Sequence, residues 1–128
     1  MIIQKIRQIM WSLKKIDIPY VQVPGGGIFA YINGDSTGKT VLLRSDIDAL
    51  PILESETNLK NKKICISKNP GVMHGCGHDG HIAMLLTAAK ILKNMEASLN
   101  GRVVLIFEEG EEGHRNIEKL LAIWQKRT

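Results

Sequence analysis

The eight-residue segment His74-Gly-Cys-Gly-His-Asp-Gly-His81 concentrates three imidazoles and one thiol. Cysteine thiolates and histidine nitrogens are the usual protein ligands of zinc and similar divalent ions. Cys76 and His78 alternate, so in an extended segment both side chains would lie on one side. The glycines allow the backbone to bend close to an ion. An isolated pair of this kind is more often a buried thiol beside an ordinary polar histidine, but this cluster precedes a predicted helix, which favours a metal site.

Two acidic segments each follow a predicted strand. The segment Arg44-Ser-Asp-Ile-Asp48 ends one strand, and Glu108-Glu-Gly-Glu-Glu-Gly113 follows the apolar run of residues 103–107. The four carboxylates of residues 108–112 repel one another, so either solvent or a bound cation must compensate this repulsion. Open α/β sheets form their sites at the carboxyl ends of strands. We therefore expect both acidic segments and the Cys/His loop to face one crevice.

Hydrophobic periodicity predicts the elements that position these residues. Apolar residues at helical spacing predict a first helix at about residues 2–15. A second helix is expected to follow Asp79, which would be its N-cap. A third is expected near the end of the chain, where the apolar positions are Ile117, Leu120, Leu121 and Trp124. The unbroken apolar run of residues 103–107 is typical of a strand covered on both faces. Alternating strands and helices predict a three-layer α/β architecture.

Turn chemistry predicts the remaining connections. Residues 28–32 and 40–44 are expected to be strands paired in a hairpin through the turn at residues 33–38. The polar stretch of residues 52–73 has room for one short strand, around residues 64–66. Residues 34–40 resemble a phosphate-binding loop, but only three residues separate the glycines and a strand follows, so ATP or GTP binding is not expected.

Composition narrows the class of protein. The 128 residues, 44% hydrophobic and 23% charged, are typical of one globular domain. The net charge of +4 is spread along the chain and aromatic residues are few, so we expect no nucleic-acid partner. We also expect no membrane association and a cytoplasmic location, because the sequence has no signal-peptide core and no apolar stretch of membrane length. Two cysteines, Cys65 and Cys76, make no disulfide framework.

Three segments resemble motifs of the M20 metallopeptidase-like amidohydrolases, which include aminoacylases, hippurate hydrolases and auxin-conjugate hydrolases. Residues 41–52 are similar to RADMDALPI, residues 69–81 to NPGVMHACGHDGH, and residues 105–113 to LIFQPAEEG. The three motifs occur in the order and spacing of the family. The resemblance implies a three-layer zinc-peptidase-like sheet with flanking helices. It also implies hydrolysis of the amide bond of an N-acyl amino acid at a centre of two divalent ions, zinc or manganese.

The same resemblance assigns roles to individual residues. It implies that Cys76, His78 and Glu112 are metal ligands and that Glu111 is the general base that takes a proton from the attacking water. Asp48 joins Glu111 in the catalytic set, as a residue that orients the ligands by hydrogen bonds, and Asp79 is a candidate for the same task. The resemblance implies a structural role for His81.

The chain departs from the family pattern at Glu108-Glu-Gly110, where relatives have Gln-Pro-Ala. Relatives run to several hundred residues and carry two more metal-binding histidines and a lid and dimerisation domain. We therefore expect residues 1–128 to be the N-terminal part of a catalytic domain, with weak or partial metal binding and little or no hydrolysis. The alternative is a non-catalytic remnant or small binding module. An unpaired sheet edge would favour self-association.

Overall fold

A computed structural model describes residues 2–33, 37–113 and 116–125. Its main sheet contains four strands: β1 (Tyr20–Val23), β2 (Gly27–Asn33), β3 (Lys39–Asp46) and β6 (Gly101–Glu108). Two short strands pair separately: β4 (Thr57–Asn58) and β5 (Asn61–Lys62). The α-helices of the described residues are α1 (Ile2–Lys15), α2 (His78–Asn94) and α3 (Ile117–Gln125), and a 3₁₀ turn covers Glu96–Ser98. None of these helices is both long and apolar enough to cross a lipid bilayer.

Helices cover both faces of the main sheet, which confirms the predicted three-layer α/β architecture. α1 and α2 pack on one face of β6, against Leu105 and Phe107. α3 packs on the other face, where Leu120 meets Val104 and Ile106. Because successive strand residues point to opposite faces, one strand supplies both cores. This is why the run of residues 103–107 is apolar without interruption.

The helices follow the predicted hydrophobic pattern. α1 buries Ile6, Ile9 and Leu13, which recur at helical spacing. α2 buries Ile82, Leu85 and Ala89 on the face toward the sheet. These contacts fix the N-terminus of α2, which lies within the Cys/His segment, beside the carboxyl end of β3.

The predicted hairpin between residues 28–32 and 40–44 is wrong. Both segments are strands, but the order of the sheet is β1-β2-β6-β3, so β6 lies between them. β6 pairs antiparallel with β2 and parallel with β3. The side chains of β6 are buried on both faces. A strand that is apolar on both faces is more stable inside the sheet than at its edge, which explains the position of β6 between β2 and β3. The predicted turn at residues 33–38 falls partly on residues 34–36, outside the described residues.

The hairpin partner of β2 is β1, which the sequence analysis missed. Val21 pairs with Phe29 in this antiparallel hairpin, and the Gly26 N–H donates to the Val23 carbonyl oxygen across the turn, 2.9 Å away. At the opposite edge of the described sheet lies β3, where Val41 and Leu42 are exposed. Self-association through this edge stays a prediction.

Two local predictions are also wrong. α2 begins at His78, and the residue before it, Gly77, adopts a left-handed conformation with φ 83°. The Gly77 carbonyl accepts from the Gly80 and His81 amides at 2.9 and 3.2 Å. Asp79 is therefore not the N-cap but a residue of the first turn, where its charge suits the helix dipole. Residues 64–66 form no strand, and Ile64 is fully exposed.

Candidate metal site

The carboxyl ends of β3 and β6 meet the N-terminus of α2. The last paired residues of the two parallel strands are Asp46 and Glu108, and the Ile47 amide extends the ladder by donating to the Glu108 carbonyl oxygen at 2.9 Å. The chain that leaves β6 then passes Asp48, whose Oδ2 accepts a hydrogen bond from the Glu112 amide at 2.9 Å. Segments separated by more than 60 residues in the sequence are therefore in direct contact at this end of the sheet, as the sequence predicted.

Cys76, His78 and Glu112 form a compact donor group at this end of the sheet. Their donor atoms all lie within 4.8 Å of one another, and Glu112 Oε1 is 3.8 Å from His78 Nε2. His78 is buried, whereas Cys76 and Glu112 are exposed. A thiolate, an imidazole and a carboxylate are the donors that zinc takes in proteins, and the thiolate favours zinc over harder ions. The three residues therefore fit a divalent ion reached from solvent.

Asp48 fixes the orientation of the His78 ring. Nδ1 of His78 lies 2.9 Å from the Asp48 Oδ1 and 3.2 Å from the Asp48 carbonyl oxygen. Because both neighbours are acceptors, we assign the ring proton to Nδ1. Nε2 then presents its lone pair to Cys76 and Glu112. A carboxylate behind a histidine is the usual support for a metal-binding imidazole, and Asp48 also holds the Glu112 backbone.

The thiol of Cys76 is paired with Glu112. The hydrogen bond to the Glu112 carboxylate and the negative charge of that group raise the pKa of Cys76. A bound divalent cation inverts this balance, because a coordinating thiol loses its proton outright. The pair is therefore arranged so that a cation can take the place of the thiol proton.

Glu111 lies beside the donor group without belonging to it. Its Oε2 is 3.9 Å from His78 Nε2, and its side chain is 42% exposed. A carboxylate that is close to the ligands but free of them is placed to accept a proton from water. The general-base role of Glu111 stays a prediction.

A second group, Asp46, His78 and His81, also places its possible ligand atoms within 4.8 Å of one another. We interpret this group as a support rather than an ion site, because His81 Nδ1 already bonds Asp46 Oδ1 at 2.5 Å. The rings of His78 and His81 stack with centroids 5.6 Å apart. Burial raises the pKa of Asp46, but the hydrogen bond with His81 and the electrostatic interaction with His78 outweigh it, so the net shift is downward.

Sequence reasoning missed the partner of Glu108. This side chain is only 4% exposed, and Arg44 Nε donates to its Oε2. Burial lowers the pKa of Arg44, but the hydrogen bond and charge of Glu108 produce a net upward shift. The sequence did contain a sign of this ion pair, because Arg44 and Glu108 stand at the ends of two predicted strands.

Two residues of the Cys/His segment lie away from the donor group. Asp79, predicted to orient the ligands, instead lines a cavity of about 420 Å³ beside α1, together with Lys5 and His74. The two ring nitrogens of His74 are buried with no hydrogen-bond partner in the described part of the chain. Burial and the charge of Lys5 lower the pKa of His74.

Cys76 and His78 do not come together in the way that the sequence predicted, by alternation along an extended segment. The segment is not extended at this point, because Gly77 is left-handed and His78 is the first residue of α2. The two donors converge because the chain turns into a helix between them. The region around Gly77 is open, with no atom within 4 Å of where a Cβ would stand. It is the positive φ that calls for glycine here.

These observations define a class: an α/β domain in which the carboxyl ends of sheet strands and a helix N-terminus carry a thiol, an imidazole and carboxylates suited to a divalent ion. The chain belongs to the peptidase family M20/M25/M40, whose model matches residues 42–127. The match begins inside β3, at residue 42, and includes the Cys/His segment, α2, β6 and α3.

Individual relatives agree with this family. The chain is 46% identical over 95 residues to the N-acetyl-L-cysteine deacetylase of Bacillus subtilis, and 45% identical over 85 residues to the N-acyl-L-amino acid amidohydrolase of Geobacillus stearothermophilus. These matches cover 74% and 66% of this chain. The chain spans about a fifth of these curated relatives, 22% of the length of each.

A solved structure shares the fold. The YXEP protein of Bacillus subtilis, a dinuclear metal-binding peptidase of the M20 family, superposes with a TM-score of 0.79 at 36% sequence identity. The match covers 95% of this chain and 33% of that protein.

Proposed function

We propose that residues 1–128 carry the N-terminal, metal-binding part of an M20 amidohydrolase site that hydrolyses the amide bond of N-acyl amino acids. The observation that carries this proposal is the convergence of Cys76, His78 and Glu112, with the His78 ring fixed by Asp48. Two relatives whose names specify removal of an acyl group from an amino acid support the substrate class.

The residues of the proposed site have different roles. Cys76, His78 and Glu112 would hold a zinc or manganese ion, which supplies Lewis-acid activation of water and of the amide carbonyl when bound. Asp48 keeps the ring of His78 turned so that Nε2 faces the other two donors. Glu111, exposed beside Nε2, accepts the proton of the attacking water and later returns it to the leaving amine.

The first prediction concerns metal binding by the 128-residue chain. At a Zn²⁺ concentration 100-fold above its dissociation constant, we expect a stabilisation of about 2.7 kcal/mol. This corresponds to a rise in Tm of roughly 10 °C for a domain of this size. Thermal unfolding followed by circular dichroism, with and without Zn²⁺, measures the shift. Cys76→Ala is expected to remove most of it, because this substitution deletes the thiolate ligand.

Cys65→Ala is the matched control for this experiment. Cys65 is also an exposed free thiol, but it lies outside the donor group. The Cys65 variant should keep the Zn²⁺-dependent shift. An equal shift in wild-type chain and Cys76→Ala would place the metal elsewhere. No shift in either would favour a non-catalytic remnant of the fold.

The second prediction concerns turnover. The described residues contain two possible three-donor groups that share His78, and we assign an ion only to Cys76, His78 and Glu112, whereas zinc commonly takes four donors and the YXEP protein is dinuclear. We therefore expect the isolated chain, loaded with Zn²⁺ or Mn²⁺, to hydrolyse N-acetylated amino acids at a rate close to the uncatalysed background. Release of free amine is the measurement. Turnover that disappears on chelation and in Glu111→Gln would show instead that this chain is a complete catalyst.

A further inference from the structure

β3 is an edge of the described sheet, and its outer side is open along the strand. The Ile47 amide donates to β6, and backbone groups alternate in direction along a strand. The N–H and C=O groups of Thr40, Leu42 and Arg44 therefore point away from β6. In the described part of the chain no strand pairs with β3 on this side. The outward backbone groups form a template onto which another strand can add.

α2 adds a second apolar layer beside this edge. On the side toward α1, α2 presents Leu86. On the opposite side, Met84 and Ala88 line a groove together with Leu43 of β3. Ile91 continues this side at helical spacing, and both Met84 and Ile91 are exposed. The open strand edge and this flank of α2 form one apolar surface of two layers, which we call the β3/α2 surface.

A partner that covers both layers must bring a strand with a helix beside it, and a second copy of this chain brings both. Let β3 pair antiparallel with its own copy about a two-fold axis through Leu42. Leu42 then lies opposite Leu42, and Val41 lies opposite Leu43, so the apolar residues of the edge face one another. The backbone groups of Thr40 pair with those of Arg44, which gives roughly six hydrogen bonds along the edge.

The charges of β3 favour the same register. Lys39 falls opposite Ser45 of the second copy. Arg44 falls opposite Thr40, so no like charges face each other, which would be unfavourable across a strand pair. An axis shifted by one residue would instead place Arg44 opposite an exposed leucine.

The size of this contact predicts a weak dimer. β3 has eight residues, which at about 3.3 Å per residue make an edge roughly 26 Å long. The strand layer and a helix of about 10 Å diameter together give a height of about 20 Å. Two copies would therefore bury roughly 1,000 Å² in total, which is the lower limit for a specific interface.

We propose that the β3/α2 surface is the interface of a two-fold symmetric homodimer, in which two β3 strands pair antiparallel at Leu42 and the two α2 flanks pack together. The main sheet then continues through both copies. This inference specifies the partner, the register and the second layer, which an open edge alone leaves undetermined. The donor group of Cys76, His78 and Glu112 takes no part in the contact, so the inference does not depend on the proposed metal site.

The experiment is sedimentation equilibrium of the 128-residue chain with EDTA present. We expect a monomer–dimer equilibrium with a dissociation constant of about 1–100 μM, as suits an interface of this size. A monomer throughout this range would overturn the inference. Species that keep growing beyond the dimer would also overturn it, because a two-fold contact closes on itself.

Lysine substitutions test the two layers. Leu42→Lys places two like charges opposite each other at the axis, so it should raise the dissociation constant of the dimer at least about tenfold. Met84→Lys, in the helix layer, should also weaken the dimer, by a smaller factor. Thermal unfolding shows whether each variant remains folded.

Leu59→Lys is the matched control, because it makes the same change at an exposed leucine of the separate β4–β5 pair. Its dissociation constant should stay within about twofold of wild type, since an isolated surface substitution has little effect. Equal weakening by Leu42→Lys and Leu59→Lys would show that the contact is not at β3, and it would overturn the inference.

A disulfide test checks the register independently, in a chain carrying Cys65→Ser and Cys76→Ser. Leu42→Cys should cross-link to its own copy on mild oxidation, because directly opposite Cα atoms lie about 5.5 Å apart, within disulfide range. Thr40→Cys, on the same edge, should not, because the two Thr40 positions would be roughly 13 Å apart. Equally fast cross-linking of both variants would overturn the proposed pairing.

Discussion

Replacing His78 with alanine is expected to lower the affinity of the chain for Co²⁺ or Zn²⁺ by at least about 100-fold, the upper end of what losing a ligand's hydrogen-bond partner costs. His78 is the imidazole of the donor group with Cys76 and Glu112. Its Nε2 lies 3.8 Å from one glutamate and 3.9 Å from another. Removal of this ring leaves an exposed thiol and an exposed carboxylate, which are a weaker chelate.

Asp48→Asn should lower the affinity for Co²⁺ or Zn²⁺ by a smaller factor, about 10–100-fold. The asparagine oxygen can still accept from His78 Nδ1, as Asp48 Oδ1 does at 2.9 Å. The amide nitrogen cannot accept the Glu112 N–H that Asp48 Oδ2 now binds. One of the two connections that Asp48 makes is therefore lost, while the other is retained without its negative charge.

Competition with a chelator of known affinity measures both changes, and His74→Ala is the control. His74 lies in the same segment, but its ring nitrogens have no partner in the described part of the chain and belong to neither donor group. Its replacement should leave affinity unchanged. If His78→Ala binds as tightly as wild type, the ion is held by a different set of residues.

The fold was predictable where burial alone dictates the element. The run of residues 103–107 and the stripe of Ile6, Ile9 and Leu13 are each explained by a face that must be covered. The pairing of strands was not predictable in this way. A turn sequence between two strands indicates a hairpin, but it contains no information about a third strand, β6, that arrives more than 50 residues later and separates them. Local rules therefore gave the strands but not their order.

The sequence predicted which residues would come together in the donor group and one of their supports, Asp48, but not the other supports. Cys76, His78 and Glu112 stand out because their chemistry and motif context are local. The partners that hold them are set by tertiary contacts: Asp46 meets His81, and Arg44 meets Glu108. The same limit explains Asp79, whose sequence position beside His78 suggested a supporting role. The helix turns it toward α1 instead, because adjacent helical residues point in different directions.

Gly27→Ala is expected to destabilise the folded chain by more than about 3 kcal/mol, a large share of the total stability of a small domain. Gly27 has a φ of 118°, a region that L-residues rarely adopt. A Cβ at this position would also overlap the Phe107 carbonyl oxygen and stand 3.1 Å from the Glu109 nitrogen. All of these atoms are backbone, so no side chain can move aside to relieve the overlap.

Gly71→Ala is the matched control, because it separates backbone strain from steric overlap. Gly71 also has a positive φ, 77°, but no atom lies within 4 Å of its Cβ position. Gly71→Ala should therefore lower the free energy of unfolding only by the conformational cost of a positive φ, about 1 kcal/mol. Urea unfolding at neutral pH gives both free energies, and similar losses would mean that conformation, not overlap, sets the cost at Gly27.

The consequence of Gly27→Ala extends to the candidate site. Gly27 pairs with Glu108, and the Glu109 amide donates to the Gly26 carbonyl at 3.0 Å. Relief of the overlap requires β2 to separate from the end of β6, and this is the segment that leads into Glu111 and Glu112. Any Gly27→Ala chain that remains folded should therefore also bind Co²⁺ more weakly than wild type. Gly71→Ala should not, because Gly71 makes no such contact with β6.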